Sequence, residues 1–375
     1  MTQQKIFLIA AARPNFMKVA PLYHALKATE WCRPVLIHTG QHYDANMSDD
    51  IFTDLGLPRP DYHLGIGSGS HAEQTAGVMV AFEKVCLEDR PDWIVVVGDV
   101  NSTLACSLVA AKLCLPLAHL EAGLRSGDRT MPEEINRLVT DRLADVLWTP
   151  SPDGDDHLRA EGVSPDRIEM VGNIMIAAFE LQRPRIEALN TPAQFGVAPG
   201  SYAVVTLHRP SNVDSAGSLT KIVDLLKQIA QRLPLVFPVH PRTRARLESY
   251  GLLDGLTATD GVTLSDPLSY NAFMNLVSNA RLAITDSGGI QEETTYLDIP
   301  CLTLRANTER PVTVTEGSNR LVDPGTLLAM VDSALKGEIK RSKCPDLWDG
   351  KAAQRVAASL QRRSRQAAAQ PSAAQ

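Results

Sequence analysis

Two parts of this chain hold residue types whose spacing can do chemistry. The first is Asp286-Ser287-Gly288-Gly289-Ile290-Gln291-Glu292-Glu293, which follows a short apolar run. A strand that ends there and a helix that begins there would aim free backbone N–H groups toward an anion, most simply a phosphate. The two glycines let the backbone come close to it. Arg310, in Thr308-Glu309-Arg310-Pro311, adds a cation downstream. Glu293, one turn into the helix, is placed to accept both hydroxyls of a ribose. The plainer alternative is a capped helix start with a glutamate favoured by the dipole.

The second part is acidic: Asp99, Glu121 and Glu133. Asp99 and Glu121 each follow an apolar run, so neighbouring strands can bring them together. Glu133 follows Pro132, a residue suited to the first position of a helix. Clustered carboxylates repel unless positive charge is near, and folds tolerate them where a proton moves or a cation forms. The alternatives are local: Asp99 as a cap for a helix from Asn101, and Glu133 as a partner of a helix dipole.

Other chemistries find little support. There is no Gly-x-x-x-x-Gly-Lys-Ser/Thr loop. Gly65-Ile66-Gly67-Ser68-Gly69 lacks a preceding strand and reads as a surface loop. His119-Leu120-Glu121 is half of a zinc deaminase signature, without the Pro-Cys-x-x-Cys half. No metal site and no cofactor are expected.

These residues need a scaffold of strands. Apolar runs at 5–10, 34–38, 93–98, 117–120, 146–149, 168–171, 202–207, 235–239, 262–264, 282–285, 301–304 and 320–322 alternate with segments of helical period. Ile135, Leu138, Val139, Leu143 and Val146 mark one such helical face, expected to be buried. Repeated alternation means parallel sheets covered by helices. The polar residues then collect at the carboxyl ends of the strands, where ligands bind in such sheets. These residues are Arg13, Asp99, Glu121, His208, His240 and Asp286. The Pro-containing stretch 182–199 divides the strands into domains at 1–185 and 186–362, with 363–375 as a disordered tail.

The 375 residues suit about two domains at ~150 residues each. A net charge of −6 argues against a nucleic-acid binder. Ile6–Ala12 is too short to span a bilayer. Arg13-Pro14 stands where a signal peptide would be cleaved, so a buried first strand is expected. The six cysteines form no Cys-x-x-Cys pair and suit a reducing cytoplasm.

With Ala12-Arg13-Pro14 and Lys18, Gln41-His42, Gly98-Asp99, His119-Leu-Glu121-Ala-Gly-Leu-Arg125, Pro132-Glu133-Glu134-Ile-Asn136-Arg137, Gly172-Asn173, His208-Arg209, Pro238-Val-His240-Pro241, the 286–293 stretch and Thr308-Glu309-Arg310-Pro311, the chain resembles the non-hydrolysing UDP-N-acetylglucosamine 2-epimerases. The resemblance implies two Rossmann-like parallel-sheet domains facing across a cleft, the glycosyltransferase-B architecture, in a homodimer that serves polysaccharide biosynthesis. It implies that Arg13, Lys18, His240, Ser287, Gly288, Gly289, Glu293 and Arg310 bind UDP, and that Asp99, Glu121, Glu133 and His208 are catalytic. Gln41 and His42 match part of an activator site, although the run here is Gln41-His42-Tyr43-Asp44 where many bacterial members have Gln-His-Arg-Gln. The implied reaction is reversible C2 epimerisation by loss and return of UDP through a 2-acetamidoglucal. The rival readings are an epimerase for a modified UDP-acetamido sugar, a hydrolysing epimerase, a UDP-sugar glycosyltransferase of the same architecture, and a nucleotide-sugar sensor.

Overall fold

A computed structural model of the protein describes residues 3–11, 13–40, 52–341 and 343–369. Gln41, His42 and the side chains of Arg13 and of 367–369 lie outside the described residues. The chain divides into two compact units. One is Met1–Leu181 together with Asp346–Gln375, and the other is Gln182–Pro345.

The first unit is built on seven parallel strands: β1 (Gln4–Ala10), β2 (Cys32–His38), β3 (Tyr62–His63), β4 (Trp93–Val97), β5 (Leu117–Leu120), β6 (Val146–Thr149) and β7 (Ile168–Met170). Their order is β3-β2-β1-β4-β5-β6-β7. The central strands are mostly apolar because helices cover both sheet faces. Trp-Ile-Val-Val-Val of β4 is buried at every position. Phe7, Ile9, Val96, Leu117 and Leu147 share one core with Val78 and Phe82 of helix His71–Glu88. Ile6–Ala10 is thus interior strand, as expected of that apolar run.

The second unit repeats the design with six strands: β8 (Ala203–Thr206), β9 (Leu235–Pro238), β10 (Val262–Ser265), β11 (Leu282–Thr285), β12 (Cys301–Leu304) and β13 (Asn319–Val322). Their order is β10-β9-β8-β11-β12-β13, again parallel. In both sheets the winding reverses beside the first strand, between β1 and β4 and between β8 and β11. Beyond the carboxyl ends at such a reversal the flanking loops diverge and leave room for a ligand.

All twelve expected strands are present. The thirteenth, β3, is two residues long at a sheet edge and carried no readable pattern. The ends of the chain differ more from expectation. The first unit ends at Leu181, and residues from Asp346 onward return to it. Residues 352–369, expected to fall partly in the second domain and partly in a disordered tail, form helix Ala352–Ala369. Val356 and Leu360 are fully buried. Ser364 and Ser359 accept hydrogen bonds from the indoles of Trp93 and Trp148 at 3.1 and 3.0 Å. The Arg- and Ala-rich composition hid this apolar stripe. Among the described residues no helix is long and apolar enough to cross a membrane.

Helix Pro132–Leu143 also departs from its expected orientation. Its fully buried residues are polar: Glu134, Asn136, Arg137, Thr140 and Asp141. Ile135, Leu138, Val139 and Leu143 are only partly buried. The helix turns its charged face inward because that face holds the loops that follow β4 and β5.

Candidate active site

In the first unit the polar residues gather where β1, β4 and β5 end. Gly98, just after β4, has φ +70°. A Cβ there would stand 3.3 Å from Lys18 Nζ and 3.4 Å from Glu121 Oε2. Glycine thus admits both the left-handed backbone and the ion pair that Lys18 and Glu121 form over it. Asn15, on the same helix as Lys18, donates to the Val97 carbonyl at 3.0 Å. Glu121 itself has φ +71°. A non-glycine residue there stores roughly 1–3 kcal/mol of strain, a cost that concentrates at functional sites. Its second oxygen, Oε1, is buried with no hydrogen-bond partner among the described residues.

Asp99 does not cap the helix that follows. That helix, Asn101–Lys112, has Val100 at its N-cap and no side-chain capping bond. The Asp99 carboxylate pairs instead with Arg137 and stays 34% exposed. Arg137 is held from behind by Glu134, through Nε at 3.0 Å and Nη2 at 2.7 Å. Burial pushes the Glu134 carboxyl up, but the N–H groups of Ser126 and Gly127 and the Arg137 guanidinium bring it below its ordinary value. Each of Asp99 and Glu121 thus has its own cation. Glu133 is exposed in the first turn of its helix. The buried neighbour that reaches the Asp99 network is Glu134.

Behind these loops lies a buried hub. Asp141 accepts from His119 Nδ1 at 2.6 Å and from the Gly123 N–H at 3.1 Å, and Arg125 Nη1 lies 2.8 Å away. His119 Nε2 donates to the Gly98 carbonyl at 2.9 Å. Burial raises the Asp141 carboxyl, and the charge and hydrogen bond of His119, with those of Arg125, more than reverse that. With Asp141 ionised, both partners of His119 are acceptors, so both ring N–H groups donate.

In the second unit the corresponding loops carry Asp286, His208, His240 and the arginines. Asp286 is fully buried. It accepts from the His208 N–H at 3.0 Å, the Arg209 N–H at 2.9 Å and Asn212 Nδ2 at 3.0 Å. His208 Nδ1 lies 3.1 Å from Asp286 Oδ1. Burial raises the Asp286 carboxyl, but His208, Asn212 and the Arg209 N–H hold it below the usual carboxylate range. The His240 ring lies 5.5 Å from that of His208. Its Nδ1 accepts the Arg242 N–H at 3.2 Å, and burial and the His208 charge lower its affinity for a proton.

Helix Gly288–Leu297 starts just after β11 with Ser287 at the N-cap, and the Ser287 side chain makes no capping bond. The arginine expected near this helix start is there. A Cβ on Gly288 would lie 2.8 Å from Arg310 Nη1, so a side chain there would push the guanidinium from its place. Arg310 Nε is 2.9 Å from Glu292. Glu309 binds Arg305 through both oxygens, at 2.7 and 2.8 Å, and Arg209 lies 3.7 Å away. Burial raises Glu309, yet Arg305 and Arg310 bring it down to about 2. Glu293 is buried and accepts from the Tyr270 hydroxyl at 2.8 Å. Burial, partly offset by Tyr270 and reinforced by Glu292, pushes it up to about 8.

The family model described as UDP-N-acetylglucosamine 2-epimerase matches residues 24–361. This chain belongs to that family. It is 43% identical over 326 residues to the UDP-N-acetylglucosamine 2-epimerase of Methanocaldococcus jannaschii, across 85% of this chain and 88% of that one. It is 40% identical over 324 residues to the UDP-2,3-diacetamido-2,3-dideoxy-D-glucuronate 2-epimerase of Pseudomonas aeruginosa, across 85% and 88% of the two chains. Its structure is similar to that of the Methanocaldococcus jannaschii enzyme in complex with UDP-GlcNAc and UDP, with TM-score 0.86, 40% identity and 96% and 100% of the two chains covered. The Neisseria meningitidis UDP-GlcNAc 2-epimerase bound to UDP-GlcNAc gives TM-score 0.87 at 26% identity, over 96% and 100%. The chain is thus an enzyme of the isomerase class, built from two parallel-sheet α/β units.

The residues singled out in the sequence therefore fall into two local groups, and each group has members that the sequence left unmarked. Lys18, expected among the UDP-binding residues, is paired with Glu121. Glu134 and Arg137 stand in a family-like stretch without a role of their own and Asp141 is unmarked, because the apolar stripe of their helix points to the opposite face. Asp286 stands in the glycine-rich stretch, but nothing in one dimension says that its carboxylate is buried against His208, Arg209 and Asn212. Among the described residues no group of three or more His, Cys, Asp or Glu side chains could hold a metal.

Proposed function

We propose that the protein reversibly converts UDP-N-acetylglucosamine to UDP-N-acetylmannosamine by elimination and re-addition of UDP. The observation that carries this reading is the start of helix Gly288–Leu297, where the first turn of the helix and Arg310 meet at a sheet reversal in a chain of the epimerase family. Ser287, Gly288, Gly289 and Arg310 hold the diphosphate, with Arg13. Glu293 takes the ribose, and His240 lines the nucleotide site.

The C2 proton of the sugar is not beside a carbonyl, so it cannot leave as an enolate proton. In elimination the C1–O bond breaks and its electron pair stays on the diphosphate oxygen. The C2–H pair becomes the C1=C2 bond of 2-acetamidoglucal, and the proton passes to a carboxylate. A proton then returns to the opposite face of C2, and UDP re-forms the bond to C1. The oxocarbenium-like character at C1 favours nearby carboxylates, and the charge on the leaving group favours arginines and a helix start. Asp99 and Glu133 serve proton transfer, Glu121 with Lys18 gives electrostatic support, and His208 assists the leaving group.

A second reading is the same reaction on a UDP-acetamido sugar with further substituents, favoured by the 40% identity to the diacetamido-glucuronate epimerase. NMR of the protein with UDP-N-acetylglucosamine in heavy water tests both. The manno isomer with deuterium at C2 and no free sugar is the expected result. An unchanged spectrum favours the modified substrate, and release of free sugar with UDP marks a hydrolysing enzyme.

A further inference from the structure

We infer that Asp286 is a positioning residue: it fixes the His208 ring with hydrogen on Nδ1, so that Nε2 alone faces the reacting groups. The inference rests on the proposed part of His208 and adds to it the group that makes it work.

The geometry leaves Asp286 few other roles. Its carboxylate is fully buried and cannot meet substrate itself. It receives donors from three consecutive features of one loop: the backbone N–H groups of His208 and Arg209, and the amide of Asn212. Asn212 Nδ2 also donates to the Leu304 carbonyl at 3.1 Å, tying the loop to β12. These bonds set the position of the His208 backbone. The contact between Asp286 Oδ1 and His208 Nδ1, at 3.1 Å, then sets the ring. A carboxylate can only accept, so Nδ1 must carry the hydrogen. The other nitrogen is left for chemistry: the side chain is 40% exposed, and no hydrogen bond to Nε2 occurs among the described residues.

When Nε2 takes a proton, the buried carboxylate stabilises the charged ring without accepting the proton itself. Nε2 can then share that proton with the departing β-phosphate oxygen as the C1–O bond breaks, and recover it when the bond re-forms. No other reactant is required. His240, 5.5 Å away, cannot substitute, because its Nδ1 accepts the Arg242 N–H, which puts the hydrogen of the neutral ring on Nε2 and leaves no lone pair there to take a proton.

The experiment is nitrogen-15 NMR of histidine-labelled full-length protein, with the His208 signals among the nine histidines assigned from a His208→Gln sample. On the alkaline side of the ring titration, wild-type His208 is expected to show a protonated Nδ1 and a bare Nε2. Asp286→Asn is expected to shift the ring toward Nε2–H and to lower kcat by about 10²–10⁴-fold, with the Kd for UDP within about 3-fold. A wild-type ring with its hydrogen on Nε2 overturns the inference, and this arm needs no variant to fold. An Asp286→Asn protein with the wild-type ring signature and wild-type kcat overturns it as well. Wild-type kcat in His208→Gln would instead remove His208 from the proposed reaction, while the ring signature still decides the claim about Asp286.

Discussion

Each unit buries an aspartate against a histidine, and the two pairs differ in one respect. In the first unit Asp141 and the Gly98 carbonyl occupy both nitrogens of His119, whose side chain is 1% exposed. In the second, Asp286 occupies one nitrogen of His208 and leaves a ring that is 40% exposed. The chemistry of the pair is therefore decided by what its second nitrogen meets. His119 is a strut that ties the Gly98 turn to helix Pro132–Leu143, while His208 is a strut at one end and open at the other, where the proposed reaction needs it.

The largest effects should fall on reactive groups and leave folding alone. Asp99→Asn and His208→Gln are each expected to lower kcat by about 10²–10⁴-fold with little change in the urea midpoint. Calorimetry should find UDP affinity nearly unchanged in Asp99→Asn. Turnover at the wild-type level in that variant would remove Asp99 from the mechanism. His119→Ala should do the opposite and act on stability. It takes one donor from the buried Asp141 carboxylate, which keeps Arg125 and the Gly123 N–H, and losing a hydrogen bond to a charged group costs about 1.5–3 kcal/mol, readable by urea unfolding. A His119→Ala protein of full stability that had lost only kcat would erase the distinction between the two pairs.

Smaller effects are expected further out. Arg310→Ala should weaken UDP binding by roughly 10–100-fold, the worth of about 1.5–3 kcal/mol for a hydrogen bond to a charged group. Glu293→Gln should change stability in a pH-dependent way. Glu293 is raised to about 8 in the folded protein, so the native state holds a proton that the unfolded chain gives up near its ordinary value. Wild-type stability therefore falls as pH rises toward about 8, and the glutamine variant lacks that fall. The advantage of the variant should grow with pH and level off above about 8. A constant offset would mean that Glu293 is ionised throughout.

Much of this organisation was legible in the sequence because strands buried on both faces are written as apolar runs. The polar residues after β4, β5, β8, β9 and β11 could then be placed at one edge of each sheet. The supports behind them were harder to read. Asp141 and Glu134 lie on a helix where periodicity marks Ile135, Leu138 and Val139, yet the polar side is buried because it bonds to loops distant in sequence. Tyr270 and Arg305 likewise act only through residues that the fold brings near. Hydrogen bonds between distant segments have no period, and so no signature in one dimension.

The return of the last helix to the first unit has a consequence for synthesis. Domains usually mature in the order in which they leave the ribosome. Here Trp93 and Trp148 find their serine partners only on Ala352–Ala369, after all of Gln182–Pro345 has been made. The half that begins first is finished last, and a nascent chain stalled before Ala352 would carry a completed second unit and an unsealed first one.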